Sequence, residues 1–262
     1  MEKDYLLNDV LKTEEYLLSS AKIPVLIGID PKSQKVVVED LLELKHILIS
    51  GGVTGKSELI YTIVRGISEK HPGCKYVIIT QDISTILLPK RVPMDVALIT
   101  YKIIKEGGFP SSLELDDEAR STIKYIENEC IKRIESSGTK VIQPIIVIID
   151  LAINEIMGDK DSRDILNSIF ADLKPNELNI HFIISDQWLG DISNSIMCEI
   201  PCRISLHQFT IVGFYHTIGV DKYLLLKNKP RLKKDQFYYV KNFRSKPRIL
   251  HKIINPPPKI NE

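Results

Sequence analysis

The chain alternates two kinds of hydrophobic pattern. Short runs are apolar almost without interruption: residues 25–29 (VLIGI), 35–40 (KVVVED), 46–50 (HILIS), 75–80 (KYVIIT), 145–150 (IIVIID), 181–185 (HFIIS) and 203–209 (RISLHQF). They are too short for buried helices and rich in β-branched residues, so they read as strands. Between them, apolar positions recur every three to four residues. Residues 56–70 place Leu59, Ile60, Ile63, Val64 and Ile67 on one helical face, and residues 116–136 do the same with Ile123, Ile126, Cys130 and Ile134. Helices are also expected over 162–174 and, with leucines set among acids, over 4–20. Asp30-Pro31-Lys32-Ser33 joins the first two runs into a hairpin that leads into the sheet. Strands that are apolar throughout and separated by helices predict an α/β fold, with a mostly parallel central sheet flanked by helices. Such sheets bind ligands at the carboxyl ends of their strands, which directs attention to the segments after Ser50 and at Asp150.

Composition adds little to this picture, and charge adds more. The 262 residues are 44% hydrophobic and 26% charged, a globular balance with length enough for one large domain. No apolar run reaches the roughly 20 residues that span a bilayer. Residues 1–18 lack the basic head and apolar middle of a signal peptide. A cytoplasmic protein without direct membrane insertion is expected. Cys74, Cys130, Cys198 and Cys202 have no second Cys or His pair to complete a zinc site, so they read as buried or half-buried free thiols. The net charge of +1 hides an asymmetry: from Lys222 onward there are 12 Lys/Arg against 2 acids, attached to an acidic remainder. A basic end of this kind either meets a polyanion or acidic surface, or is a solubilising, partly disordered tail. Pro256, Pro257 and Pro258 fit the second reading for the last residues.

Ser50-Gly51-Gly52-Val53-Thr54-Gly55-Lys56-Ser57 departs from the pattern G-x-x-x-x-G-K-[ST] only at Ser50. A loop of small residues can turn its N–H groups inward around phosphate oxygens. Gly51, Gly52, Val53, Thr54, Gly55, Lys56, Ser57 and Glu58 form the expected nucleotide-binding set. Lys56 brings a positive charge toward the β- and γ-phosphates, Ser57 a hydroxyl for Mg²⁺, and the helix that starts there its positive end. The bland alternative is a glycine-rich turn without a ligand.

Two further signals follow. The apolar run 144–149 ends in Asp150, the Walker B arrangement, in which a carboxylate orients Mg²⁺ through water; the bland alternative is a helix-capping aspartate. Ser57 and Asp150 are the expected metal residues, with ATP and Mg²⁺ as cofactors. Gln187 lies just beyond the next apolar run, where a polar side chain can sense the γ-phosphate or position water. Lys56, Asp150 and Gln187 make the expected catalytic set.

In their order along the chain, these segments resemble the motor domain of FtsK/SpoIIIE DNA translocases. The stretch AKIPVLIGIDPKSQKVVVEDLLELKHILISGGVTGKS is similar to that family's entry segment, with Ile23-Pro24, Gly28, Asp30, Asp40 and His46 in step. PIIVIID resembles its Walker B strand, and NIHFIISDQ its Gly-Ile-His-x-x-x-Ala-Thr-Gln segment at Ile180, His181 and Gln187. IPCRISLHQ resembles an Ile-Pro-Thr-Arg-Ile segment at Ile200, Pro201, Arg203 and Ile204, and DQFYYV a late Gly-Asp-Met-Leu-Tyr strand. The resemblance covers roughly residues 21–240. It implies a RecA-like P-loop NTPase domain over 45–240, after a helix-and-hairpin lead-in at 1–44 and before a basic tail at 241–262. It also implies a hexameric ring, homo-oligomeric or mixed with a related ATPase, that acts on double-stranded DNA.

The departures shape the functional expectation. The family places Glu directly after the Walker B Asp to polarise the attacking water, and here that position is Leu151. Loss of such a group costs about 10²–10⁴-fold in rate. Phe170 and Asn176 stand where the family carries arginines, and FTIVGFYHT replaces a serine- and arginine-rich stretch. Glu155, five residues past Asp150, is a candidate substitute but reads first as a solvated surface glutamate. His181 reads as a packing histidine. The expectation is nucleotide-dependent DNA binding with weakened hydrolysis. The alternatives are a structural or regulatory subunit of a ring ATPase, or a secretion- or conjugation-type coupling ATPase acting on protein.

Overall fold

The computed structural model describes residues 5–52, 55–81, 85, 88, 95–101, 115, 117–136, 142–208, 211–226 and 232–255. The lead-in comprises α1 (Leu7–Val10), α2 (Glu14–Leu17), β1 (Pro24–Ile29), β2 (Val36–Asp40) and α3 (Leu41–Leu44). Next come β3 (Ile47–Ser50), α4 (Lys56–Lys70), β4 (Lys75–Thr80), β5 (Asp95–Tyr101) and α5 (Asp117–Glu135). Then follow β6 (Ile145–Asp150), α6 (Ile153–Gly158), α7 (Lys160–Ser168), β7 (Ile180–Asp186) and α8 (Asn194–Glu199). The chain closes with β8 (Cys202–Ser205), α9 (Ile211–Ile218), α10 (Val220–Leu226), β9 (Gln236–Val240) and β10 (Arg248–His251).

All ten strands form one sheet in the order β2-β1-β10-β9-β8-β3-β7-β6-β4-β5. From β8 to β5 every pairing is parallel, as the unbroken apolar runs predict. From β2 to β8 every pairing is antiparallel, so the hairpin is a wing of the same sheet. On one face α4 buries Leu59, Ile60, Ile63, Val64 and Ile67 against β1, β3 and β4. On the other, α5, α6 and α7 bury Ile123, Ile126, Ile153, Ile156 and Leu166. Each such side chain contributes roughly 1.5–3 kcal/mol on leaving water.

Several landmarks of the entry segment are braces of this fold. The Asp30 carboxylate accepts from the Lys32 and Ser33 N–H groups and from Arg248 at 2.7 Å, which holds its pKa down at about 2. Asp40 caps α3 and accepts from the Lys22 and Ile23 N–H groups. His46 accepts from Phe182 N–H at 3.0 Å, and His181 is hydrogen-bonded to the Lys45 carbonyl at 2.7 Å, so both imidazoles are buried in the sheet's amino edge. Burial lowers the pKa of both.

Three expectations change. The helix expected over 4–20 is two short helices: the Thr13 hydroxyl takes the Val10 carbonyl, and the break lets Tyr16 donate to the Gly66 carbonyl at 2.7 Å. The helix expected over 162–174 is α7 followed by a π turn, Ile169–Leu173, that buries Phe170 against His46 and Phe182. Residues 241–255 are not a free tail, because β10 sits between β1 and β9 and buries Leu250 completely; residues 256–262 lie outside the described set. Of the thiols, Cys74, Cys130 and Cys202 are buried, and Cys198 is exposed. Replacing Leu250 by Ala is expected to cost about 3 kcal/mol in urea unfolding; a residue in a free tail would cost nothing.

Candidate functional site at the carboxyl ends of the parallel strands

The loop after β3 is shaped by what surrounds it. Gly51 has φ 150° and Gly55 has φ 97°, backbone that side-chain-bearing residues rarely adopt. Space is short as well: a Cβ on Gly51 would stand 2.5 Å from the Leu206 Cβ. The segment after β8 braces the loop, with Leu206 N–H donating to the Ser50 carbonyl and Gly52 N–H to the His207 carbonyl, each at 2.8 Å. The Gln208 amide donates to the Ser50 hydroxyl at 3.0 Å and to Ser205 at 3.2 Å. Serine in place of the first glycine thus gains a partner. Val53 and Thr54 lie outside the described residues.

Lys56, only 3% exposed, donates to the Gly51 carbonyl at 3.1 Å and to the Gly52 carbonyl at 2.7 Å. Ser57 is half-buried in the first turn of α4, and the Glu58 side chain is exposed. Asp150 closes β6 fully buried, and Thr85 donates its hydroxyl to Oδ2 at 2.6 Å. Leu151 then turns into left-handed backbone at φ 56°, its N–H donating to the Ser185 carbonyl at 2.8 Å. That conformation costs a leucine roughly 1–2 kcal/mol.

The structure brings forward Asp186, which the sequence left aside, and Glu155, which the sequence reads first as a surface residue. Asp186 ends β7 directly opposite Ser50 and is 5% exposed. It accepts from Gln187 N–H at 2.6 Å and, more weakly, from Trp188 N–H and the Asn154 amide, each at 3.4 Å. Burial, assisted by the charge of Glu155, pushes its pKa up to about 6, while the backbone donors and Lys56 pull the other way. Glu155, expected on the solvated surface, is 7% exposed, and its Oε2 has no hydrogen-bond partner among the described residues. The correction has a simple cause: α6 begins only two residues after Leu151, so its first turn packs over the end of β7. Gln187 follows the strand and its side chain is exposed, whereas its N–H serves Asp186. Lys56, Asp186 and Glu155 therefore form one electrostatic group, with Asp150 one strand away. Arg203 supports the fold instead, donating to the carbonyls of Ile200, Met197 and Thr217.

Among the described residues no cluster of three or more His, Cys, Asp or Glu is arranged to hold a metal. Within the same residues no helix is long and apolar enough to cross a membrane. No family model and no curated protein sequence matches the chain. Solved structures do match. The cytoplasmic domain of the Thermomonospora curvata type VII secretion ATPase EccC superposes with a TM-score of 0.70 over 98% of this chain and 33% of its own, at 15% identity. ATPases 2 and 3 of EssC from Geobacillus thermodenitrificans give 0.66 over 88% and 44%, at 16% identity. The pCW3 conjugation coupling protein TcpA, solved with ATPγS, gives 0.64 over 91% and 68%, at 19% identity. The chain spans less than half the length of the EccC and EssC structures. Strand order, the loop after β3 and these superpositions together establish the RecA-like P-loop ATPase fold.

The raised pKa of Asp186 has a signed consequence. Below about pH 4 the carboxyl is protonated folded or unfolded and contributes nothing. Between about pH 4 and 6 the folded state holds a proton that the unfolded state releases, so stability falls as pH rises. Above that the folded state carries the full cost, about 3 kcal/mol. Asp186→Asn in nucleotide-free protein is expected to raise the unfolding temperature at pH 7 and leave it unchanged near pH 4. Equal gains at both pH values would rule out the buried charge as the cause.

Proposed function

We propose that this domain holds Mg²⁺·ATP in the loop between β3 and α4 and hydrolyses it slowly. It contacts double-stranded DNA in a nucleotide-dependent way, within a ring of like or related subunits. The observation that supports this reading is Lys56 folded onto its own glycine loop, together with a leucine where a catalytic carboxylate would stand. Lys56 lies on two carbonyls of its own loop, neutral partners that charged phosphate oxygens outcompete. The tight glycine cradle at Gly51 and the buried Asp150 suit the nucleotide and its ion. Ser57 and Asp150 would hold Mg²⁺, with phosphates and water filling its other positions, as is usual for this ion. When bound, it would neutralise charge on the phosphates.

Leu151 can neither accept a proton nor orient water. Glu155, buried and electrostatically joined to Asp186, is the carboxyl left to polarise the attacking water and accounts for a residual rate. ATP affinity and turnover, each with and without duplex DNA, test this reading. Lys56→Ala is expected to lose ATP binding, and Leu151→Glu to raise turnover by about 10²-fold. Fast DNA-stimulated turnover in the unaltered protein would defeat the reading of a slow enzyme.

For DNA, the basic end contains, among its described residues, both paired and exposed cations. Lys241 pairs with Glu39 and Glu43, and Arg248 with Asp30, whereas Arg244 and Lys246 are exposed in the turn between β9 and β10. The double variant Arg244→Ala/Lys246→Ala is expected to flatten the slope of log K against log salt by about 1.8, at roughly 0.9 per phosphate contact. Protein transport is the second reading, favoured by the likeness to the type VII secretion ATPase EccC. Absence of any salt-dependent DNA binding would select it.

A further inference from the structure

Residues 251–255 form a strap across the amino end of α4. Lys252 N–H donates to the Asp235 carbonyl at 2.7 Å, and Ile253 is buried. Ile254 is tied to the amino terminus, donating to the Tyr5 carbonyl at 2.8 Å and accepting from Leu7 N–H at 2.9 Å. The Asn255 amide donates to the Glu58 carbonyl at 2.8 Å, and its oxygen accepts from the Thr62 hydroxyl at 3.2 Å. The backbone on both sides of Lys252 is thus fixed.

The Lys252 side chain reaches the loop between β3 and α4. A Cβ on Gly55 would stand 2.4 Å from Lys252 Nζ and 3.3 Å from its Cε. The ammonium therefore lies directly against the Cα of Gly55, at the start of α4. Among the described residues it makes neither a hydrogen bond nor an ion pair. Asp235, the neighbouring acid, is taken by His251. Glu58 and Asp235 act on the ammonium only at longer range, and burial lowers its pKa below the usual lysine range. A half-buried cation at the positive end of a helix, without a close carboxylate, is placed for an anion.

We propose that Lys252 is a second cation of the phosphate loop, delivered in cis by the carboxyl end, that grips an oxygen of the bound nucleotide's polyphosphate. This rests on the nucleotide reading of the loop. It gives Gly55 a second reason to be glycine, since any side chain there would displace the ammonium. It also gives part of the basic end a task within the domain.

Calorimetric titration of ADP and ATP into the full chain and its Lys56→Ala, Lys252→Met and Lys252→Arg variants tests the proposal. Methionine keeps the aliphatic stem, so the nucleotide-free variant is expected to unfold at the unaltered temperature. Its affinity for both nucleotides is expected to fall about tenfold or more, the worth of one charge-assisted hydrogen bond, with arginine restoring most of it. Affinity within twofold of the unaltered chain overturns the proposal and leaves the loop assignment standing. A lowered unfolding temperature with no rescue by arginine overturns it in favour of a structural lysine. If the unaltered chain binds neither nucleotide, or Lys56→Ala binds equally well, the nucleotide reading falls and takes this proposal with it.

Discussion

The parallel register of β3, β7 and β6 is the constraint from which the site follows. In parallel strands a residue's height along the sheet is set by evenly spaced, slanted hydrogen bonds. Ser50 pairs with Asp186, and Asp150 with Ser185, so the last residues of three strands end in one layer. The loop with Lys56 leaves from the first, the buried Asp186 closes the second, and Asp150 closes the third. A one-residue slip would turn every strand's buried side chains over. The wholly apolar strands permit that more readily than alternating ones, so the polar braces matter. His46 and His181 supply one at the amino edge, and Arg133, donating to the Leu178, Asn179 and Gln143 carbonyls, supplies another beside β6 and β7.

The same braces explain which features were legible in the sequence. β3, β4, β6 and β7 announced themselves because they are buried almost along their whole length, which leaves few polar positions to confuse the pattern, whereas β5 was not read from the sequence. The loop between β3 and α4 was legible because glycine is required at Gly51 by packing against Leu206 as well as by backbone angle. Asp30, Asp40 and His46 stood out for reasons of architecture that linear pattern cannot separate from chemistry. Glu155 was misjudged because helical position alone does not tell which neighbour covers a side chain. Asp186 was passed over for Gln187 because strand length was read one residue short, and β7 runs through Asp186 before the chain turns outward. Residues 248–251 are a short strand between charged flanks, so only the partners β1 and β9 reveal it. Lys252 carries no motif at all; its placement depends on Asn255 and Ile253, which fix the strap.

On the reading proposed above, the balance of charge separates holding a nucleotide from consuming it. Toward the loop stand Lys56 and Lys252, each set against loop backbone. Toward the ends of β6 and β7 stand Asp150, Asp186 and Glu155, all buried. Burial favours the neutral form of Asp186 enough to bring its titration near physiological pH. Glu155 reaches this face from the first turn of α6, beside a second buried acid, so it would be a poor substitute for a glutamate placed directly after Asp150. Leu151 compounds this, since its left-handed turn aims the backbone at Ser185 to complete the sheet. The backbone bonds that hold Asp150 in register thus leave the next residue committed to structure. Binding needs only the cations and amides of the loop, whereas turnover needs the carboxyl face. On the proposed reading the two halves of the site are built to different standards, and the half with Lys56 and Lys252 is the better built.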